Sequence, residues 1–146
     1  MKTPLLISRC LLGENTKYNG KNNYVDNIEL LKDKYELFLC CPEVMGGLSI
    51  PRDPSEIKND IVISNKGKDV TNEFLLGAEK TIDIVKRNNI KLALLKDNSP
   101  SCGSTMIYDG SFSQKKIVGM GITAKKLKEL GVQIFTENEI ETLINM

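Results

Sequence analysis

Short apolar runs alternating with amphipathic stretches predict an α/β fold: a three-layer sandwich on a mostly parallel, Rossmann-like sheet, in one domain. Three observations carry this prediction. Residues 4–10, 35–41, 91–96 and 132–135 have the length and apolar content of buried strands. Helical patterns follow or separate them at 25–34, 72–87, 123–130 and 138–144. The chain of 146 residues is long enough to bury one core without disulfide staples.

Taken in order, the first strand closes on Cys10, and residues 11–24 form a polar, glycine-bearing loop of a length that usually serves function. In the helix over 25–34, Val25, Ile28 and Leu31 face inward and Asp26 or Asn27 lies near the start. The second strand ends at Cys41. Residues 42–57 read as a long loop with paired glycines and three prolines, and 60–70 as a small hairpin turning at Asn65-Lys66-Gly67. Thr71 reads as the N-cap of the clearest helix, whose Phe74, Leu75, Ala78, Ile82 and Val85 recur at helical spacing. The third strand leads through Asp97-Asn98-Ser99-Pro100-Ser101 to Cys102. Tyr108-Asp109-Gly110-Ser111 reads as a turn, and Gly131 stops the helix over 123–130. A fourth strand and a closing helix complete the pattern.

Composition narrows the chemistry. Histidine is absent, which excludes Ser-His-Asp and Cys-His couples and His-rich zinc sites. The net charge of +1 gives no global field for a polyanion, so stable nucleic-acid binding is not expected. No apolar stretch approaches the roughly 20 residues that span a bilayer. The N-terminal run is too brief for a signal-peptide core, and the expectation is a cytoplasmic protein with free thiols and no membrane partner.

Three of the four cysteines then stand out, because each follows an apolar run as it gives way to a loop. Were those runs neighbouring parallel strands, Cys10, Cys41 and Cys102 would emerge on the carboxyl edge of one sheet, where open α/β sheets place ligands. Three thiolates without histidine point to a soft metal, iron or zinc, with one coordination position open. Their dispersed spacing differs from the tight pairs of zinc ribbons, and a set of buried, inert cysteines is the plainer alternative; it suits Cys40 well, inside the strand. Around them, Glu43 follows Cys41-Pro42 closely enough to share a site. Arg52 can clamp a phosphate or pair with its neighbour Asp53. Tyr18, Tyr108 and Phe112 can stack on a ring or pack in the core.

The motifs together resemble a known family. Ser8-Arg9-Cys10-Leu11-Leu12-Gly13, Tyr18-Asn19-Gly20, Cys41-Pro42-Glu43-Val44-Met45-Gly46-Gly47-Leu48, Pro51-Arg52, Gly67-Lys68-Asp69-Val70-Thr71, Gly77-Ala78, Ser99-Pro100-Ser101-Cys102-Gly103 and Ile107-Tyr108-Asp109-Gly110 occur in the order of the thiouracil desulfurase (TudS-like) family. The resemblance covers almost the whole chain. It implies a 4Fe–4S cluster held by Cys10, Cys41 and Cys102, supplied by the iron–sulfur assembly machinery, with one iron left for the sulfur of a substrate. It further implies catalytic roles for Glu43 and Ser101 on a small thiolated pyrimidine, with Arg52, Tyr18 and Tyr108 as substrate-side candidates. Arg9 stands where a small residue is usual, and Thr16-Lys17 replaces a Cys/Val-Arg pair. Larger relatives carry an added domain associated with thiolated tRNA, which is not expected here. A non-enzymatic iron–sulfur sensor or sulfur carrier would use the same three thiolates, and a structural zinc domain is the third option.

Overall fold

The computed structural model describes residues 1–146. Its main sheet has four strands, β1 (Thr3–Ser8), β2 (Tyr35–Cys40), β5 (Leu92–Leu95) and β8 (Gln133–Thr136), in the order β2-β1-β5-β8. Every pairing is parallel, so the sheet is wholly rather than mostly parallel. The chain leaves β1 toward β2 on one side and reaches β5 and β8 on the other. That reversal opens a crevice between the carboxyl ends of β1 and β5.

Side-chain alternation splits the core into two layers, as the period of a strand requires. Leu5 and Ile7 of β1, with Leu94 and Phe135, pack under Leu31 of α1 (Glu29–Lys34), Ile28 just ahead of it, and Ile140 and Leu143 of α5 (Ile140–Asn145). Leu6, Cys40, Ala93 and Leu95 face the opposite side, against Val85 of α3 (Thr71–Arg87) and Ala124 and Leu127 of α4 (Ile122–Glu129). The result is a Rossmann-like three-layer sandwich. Each fully buried leucine or isoleucine here contributes about 1.5–3 kcal/mol of apolar burial.

Several local expectations are corrected. The first strand ends at Ser8, and Cys10 lies in the following 3₁₀ turn, Arg9–Leu12. Residues 25–28 precede α1 rather than belonging to it, because Asn27 takes a left-handed backbone conformation that breaks helical continuity. What read as loop after Cys41 begins with a one-turn helix, α2 (Pro42–Met45), which places Pro42 at its first position. Thr71 does not cap α3. It is the first residue of the helix and accepts the Val62 N–H at 2.9 Å, while Asp69 accepts the Thr71 N–H.

The hairpin is also re-partnered. Strand β4 (Ile61–Ser64) pairs antiparallel with the preceding β3 (Ser55–Lys58), turning through Asn59 and Asp60, both at positive φ. The turn at Asn65-Lys66-Gly67 persists only as a return that brings Asp69 to a single bridge with Ile63. Tyr108 ends a strand rather than opening a turn: β6 (Met106–Tyr108) pairs with β7 (Lys116–Val118). No helix is long and apolar enough to cross a membrane.

Candidate functional site

The carboxyl ends of β1, β2 and β5 open into one cavity of about 600 Å³, a size typical of small-molecule sites. Cys10, Cys41 and Cys102 all line it, so the three cysteine-bearing loops meet on one rim. Cys40 reaches the same cavity from beneath, although it is fully buried in the α3/α4 layer of the core. Glu43, Ser101, Arg52, Tyr18 and Tyr108 line the cavity too, and with the three rim cysteines they complete the set singled out from the sequence.

Each thiol is held differently. Burial pushes the Cys102 thiol up to about 12, and the nearby Ser8 and Ser101 hydroxyls pull only partly against it. Ser101 Oγ lies 3.7 Å from Cys102 Sγ. Burial also raises Cys10, opposed by the Asn23 amide donating to its sulfur at 3.3 Å and by the charge of Lys96. Cys40 is pushed well above the ordinary thiol range by burial. The Cys41 thiol faces the Thr16 carbonyl at 3.9 Å.

No three His, Cys, Asp or Glu side chains converge tightly enough to hold a single metal ion. The three rim thiols nevertheless line one cavity. An all-thiol donor set with N–H and O–H donors already aimed at the sulfurs fits an iron–sulfur group.

Beside the thiols, α2 sets Glu43. Gly46 and Gly77 let α2 meet α3 backbone to backbone. A Cβ on Gly77 would stand 1.8 Å from the Pro42 carbonyl oxygen, and one on Gly46 1.8 Å from that of Glu73. The Glu43 carboxylate is then gripped at both oxygens. Arg52 Nε donates to Oε1 at 3.1 Å and Ser101 Oγ to Oε2 at 2.9 Å. Arg52 therefore pairs with Glu43 rather than with its neighbour Asp53. Its other nitrogens donate to the Thr16 and Ser49 carbonyls, and Asp53 pairs with Lys66. The Arg52 and Glu43 side chains are only 7% and 15% exposed, so their attraction is poorly screened.

Sequence reasoning passed over four residues that shape this site. Asn23 donates to Cys10, and Lys96 pairs with Glu137 at the rim. Asp97 braces the Cys102 loop, and Ser99 sits at its centre. A signal for Asp97 and Ser99 existed, since Asp and Ser entering a Pro-containing loop commonly bond their own backbone.

The model of the 2-thiouracil desulfurase family matches residues 5–139. The chain belongs to this family. A Bacillus subtilis (strain 168) relative, described as uncharacterized protein YbbK, is 40% identical over 150 residues, covering 96% of this chain and 99% of its own. The solved structure of the 4Fe–4S-dependent thiouracil desulfidase TudS is 39% identical. It superposes with a TM-score of 0.92 over 97% of this chain and 95% of its own. The family match covers the parallel sheet and both small hairpins, and only the closing helix α5 lies beyond it.

Proposed function

We propose that residues 1–146 form a single desulfurase domain that removes sulfur, as sulfide, from a thiolated pyrimidine such as 4-thiouracil or its nucleotide. The observation that carries this reading is the placement of Glu43, pinned between Arg52 and Ser101 in the cavity that three dispersed thiols line. A sensor or carrier needs the thiols but no poised carboxylate.

Cys10, Cys41 and Cys102 would hold a 4Fe–4S cluster, as the relative TudS depends on one. When bound, that cluster supplies a soft Lewis acid, at an iron without a protein ligand, for the thiocarbonyl sulfur. The chain's own groups do the rest. Glu43 takes a proton from water, which attacks the thiocarbonyl carbon. Ser101, hydrogen-bonded to Glu43, returns a proton to the substrate. The net reaction converts a thiocarbonyl and water into a carbonyl and hydrogen sulfide. Sulfur leaves at the oxidation level it had in the substrate, so the hydrolysis needs no electron acceptor. Tyr18 and Tyr108 flank the opening as ring-stacking walls. The free thiols suit a cytoplasmic setting, where the assembly machinery would deliver the cluster.

The test is sulfide release by anaerobically reconstituted protein from a panel of thiolated bases, nucleotides and tRNA, with iron and labile sulfide measured alongside. Turnover should be better on the free base or mononucleotide than on tRNA. Glu43→Gln should retain cluster and substrate binding while losing at least about a hundredfold in turnover. A full cluster with no turnover of any thiolated pyrimidine would favour the sensor or carrier.

A further inference from the structure

We propose that Ser99 is a positioning residue that fixes the direction of the Ser101 proton, making the serine pair one-way. This rests on the desulfurase reading above and assigns a role within the same site. The argument is a count of lone pairs. A serine hydroxyl has two lone pairs to accept with and one proton to donate. Ser99 Oγ accepts the backbone N–H of Ser101 at 3.1 Å and that of Cys102 at 3.1 Å. Both lone pairs are therefore occupied.

Its single proton has two candidate acceptors, Ser101 Oγ at 2.8 Å and Glu43 Oε2 at 3.5 Å. The shorter contact has the length of a normal O–H···O bond and the longer one does not. Ser99 therefore donates to Ser101. Ser101 cannot donate back, so its own proton chooses between Glu43 Oε2 at 2.9 Å and Cys102 Sγ at 3.7 Å, and it goes to the nearer, charged carboxylate. The chain runs Ser99 to Ser101 to Glu43, ending on a carboxylate, the stronger kind of acceptor.

This direction matters once Glu43 has taken a proton from water. The carboxyl group then donates to Ser101 Oγ, and Ser101 gives up its own proton in exchange. Ser99 has no lone pair free to receive it. The proton passes to the substrate in the cavity, and the net transfer is one proton from Glu43 to substrate. Without Ser99, the Ser101 hydroxyl can rotate toward the loop instead.

The experiment is a double-mutant cycle on the reconstituted enzyme, reading kcat per cluster on 4-thiouracil, with amide hydrogen exchange as a second measurement. Ser99→Ala should lower kcat by about ten- to a hundredfold with KM unchanged. In a Ser101→Ala background it should cost nothing more. Ser99→Thr keeps both the acceptor and the donor and should restore the rate. The Ser101 and Cys102 amides should exchange faster in Ser99→Ala and return to normal in Ser99→Thr. If Ser99→Ala cannot hold the cluster, Ser99→Asp decides instead. Its carboxylate still accepts the two amides but donates nothing, so it should load iron and remain slow.

Losses that multiply in the double variant would overturn the inference, as would unchanged amide exchange in Ser99→Ala or a wild-type kcat in Ser99→Asp. Glu43→Gln measured in parallel separates this inference from the reading beneath it. A fast Glu43→Gln enzyme sinks the base assignment, while the cycle still reports whether Ser99 acts through Ser101. A slow Glu43→Gln enzyme with multiplicative serine losses keeps the base and removes Ser99.

Discussion

The loops that carry Cys10 and Cys102 leave neighbouring strands at the same rim, yet they are built by opposite means. The Cys102 loop is braced from within. Asp97 Oδ1 accepts the amides of Asn98, Ser104 and Thr105 at 2.9, 3.1 and 3.2 Å, and Ser99 accepts those of Ser101 and Cys102. Gly121 presses on it from outside, where a Cβ would stand 2.6 Å from the Ser101 carbonyl. The loop after Cys10 is longer, and mostly half-buried to exposed. Exposed asparagine contacts such as Asn22 to Asn15 hold it, together with one buried cation, Arg52, bonded to the Thr16 carbonyl at 3.0 Å. One wall of the site is thus pre-formed, and the other follows the groups packed against it. The Ser99 and Ser101 hydroxyls belong to the first wall, while Thr16, Tyr18 and Asn23 line the cavity from the second.

The sharpest way to break this contrast is to remove the sulfurs. Cys10→Ser, Cys41→Ser and Cys102→Ser should each lose most of the broad visible absorbance of the reconstituted protein, because serine is a poor ligand for a soft metal. Cys40→Ser should keep it. Full iron content in any of the first three would remove that residue from the ligand set and, for Cys10 or Cys102, the comparison with it.

Arg52→Ala comes next. It strips the pin from the open loop and leaves Glu43 as an uncompensated, largely buried charge, at a cost of about 3–5 kcal/mol in chemical denaturation. Since Arg52 is engaged inward, turnover of base and nucleotide should fall together. A loss confined to the nucleotide would restore the phosphate clamp that the geometry argues against.

Asp97→Ala tests the braced loop. Leaving its amides without an acceptor should cost about 1–3 kcal/mol and slow iron loading. Asn15→Ala, on the open loop, should stay within about 0.5 kcal/mol of wild type. Equal effects would erase the distinction between the two walls.

A separate check is a pH dependence of the metal-free protein. Burial raises Cys102 to about 12, above an unfolded thiol near 9.0, so the folded state binds the proton more tightly. Its contribution to stability is fully present below about pH 9 and is lost as pH rises toward 12. Denaturation midpoints should fall across that alkaline window, and Cys102→Ala should flatten the fall. Asp97 acts at the other end. Burial alone would raise it, but the Thr105 hydroxyl and the loop amides together outweigh burial and lower it. Its contribution is present above the usual aspartate range and is lost as acid protonates it.

Much of the frame was legible because strands buried on both faces write themselves as continuous apolar runs. Residues 4–7 and 92–95 do so, the edge strand over 35–40 shows only Leu37-Phe38-Leu39 beyond an exposed Glu36, and the cysteines after them mark the rim. Helix α3 was legible from its period. The one-turn α2 was not, since four residues cannot display a period; Pro42 at its first position was the only sign. The hairpin over 55–64 was mispaired because Asn59-Asp60 and Asn65-Lys66-Gly67 are both good turns, and only packing chooses between them. Strand β7 is exposed along its whole length and carries no alternation to read. Sequence shows neighbours along the chain, so it offers Asp53 as a partner for Arg52. Glu43, nine residues away, becomes its partner only once α2 is docked on α3.

The roof of the cavity has a separate origin from its floor. Cysteines, Glu43 and Ser101 come from the rim of the parallel sheet, whereas Ser55, Tyr108 and Phe112 come from the two small hairpins. Those hairpins are clasped to each other: Glu56 accepts the Gly110 and Phe112 amides, and Gly110 lies flat against Ile57 and Lys58. A variant library confined to 55–58 and 108–114, sparing Glu56 and Gly110, would change what enters without disturbing what reacts. On the proposed function, choice of substrate and capacity for chemistry would rest on separate parts of this fold.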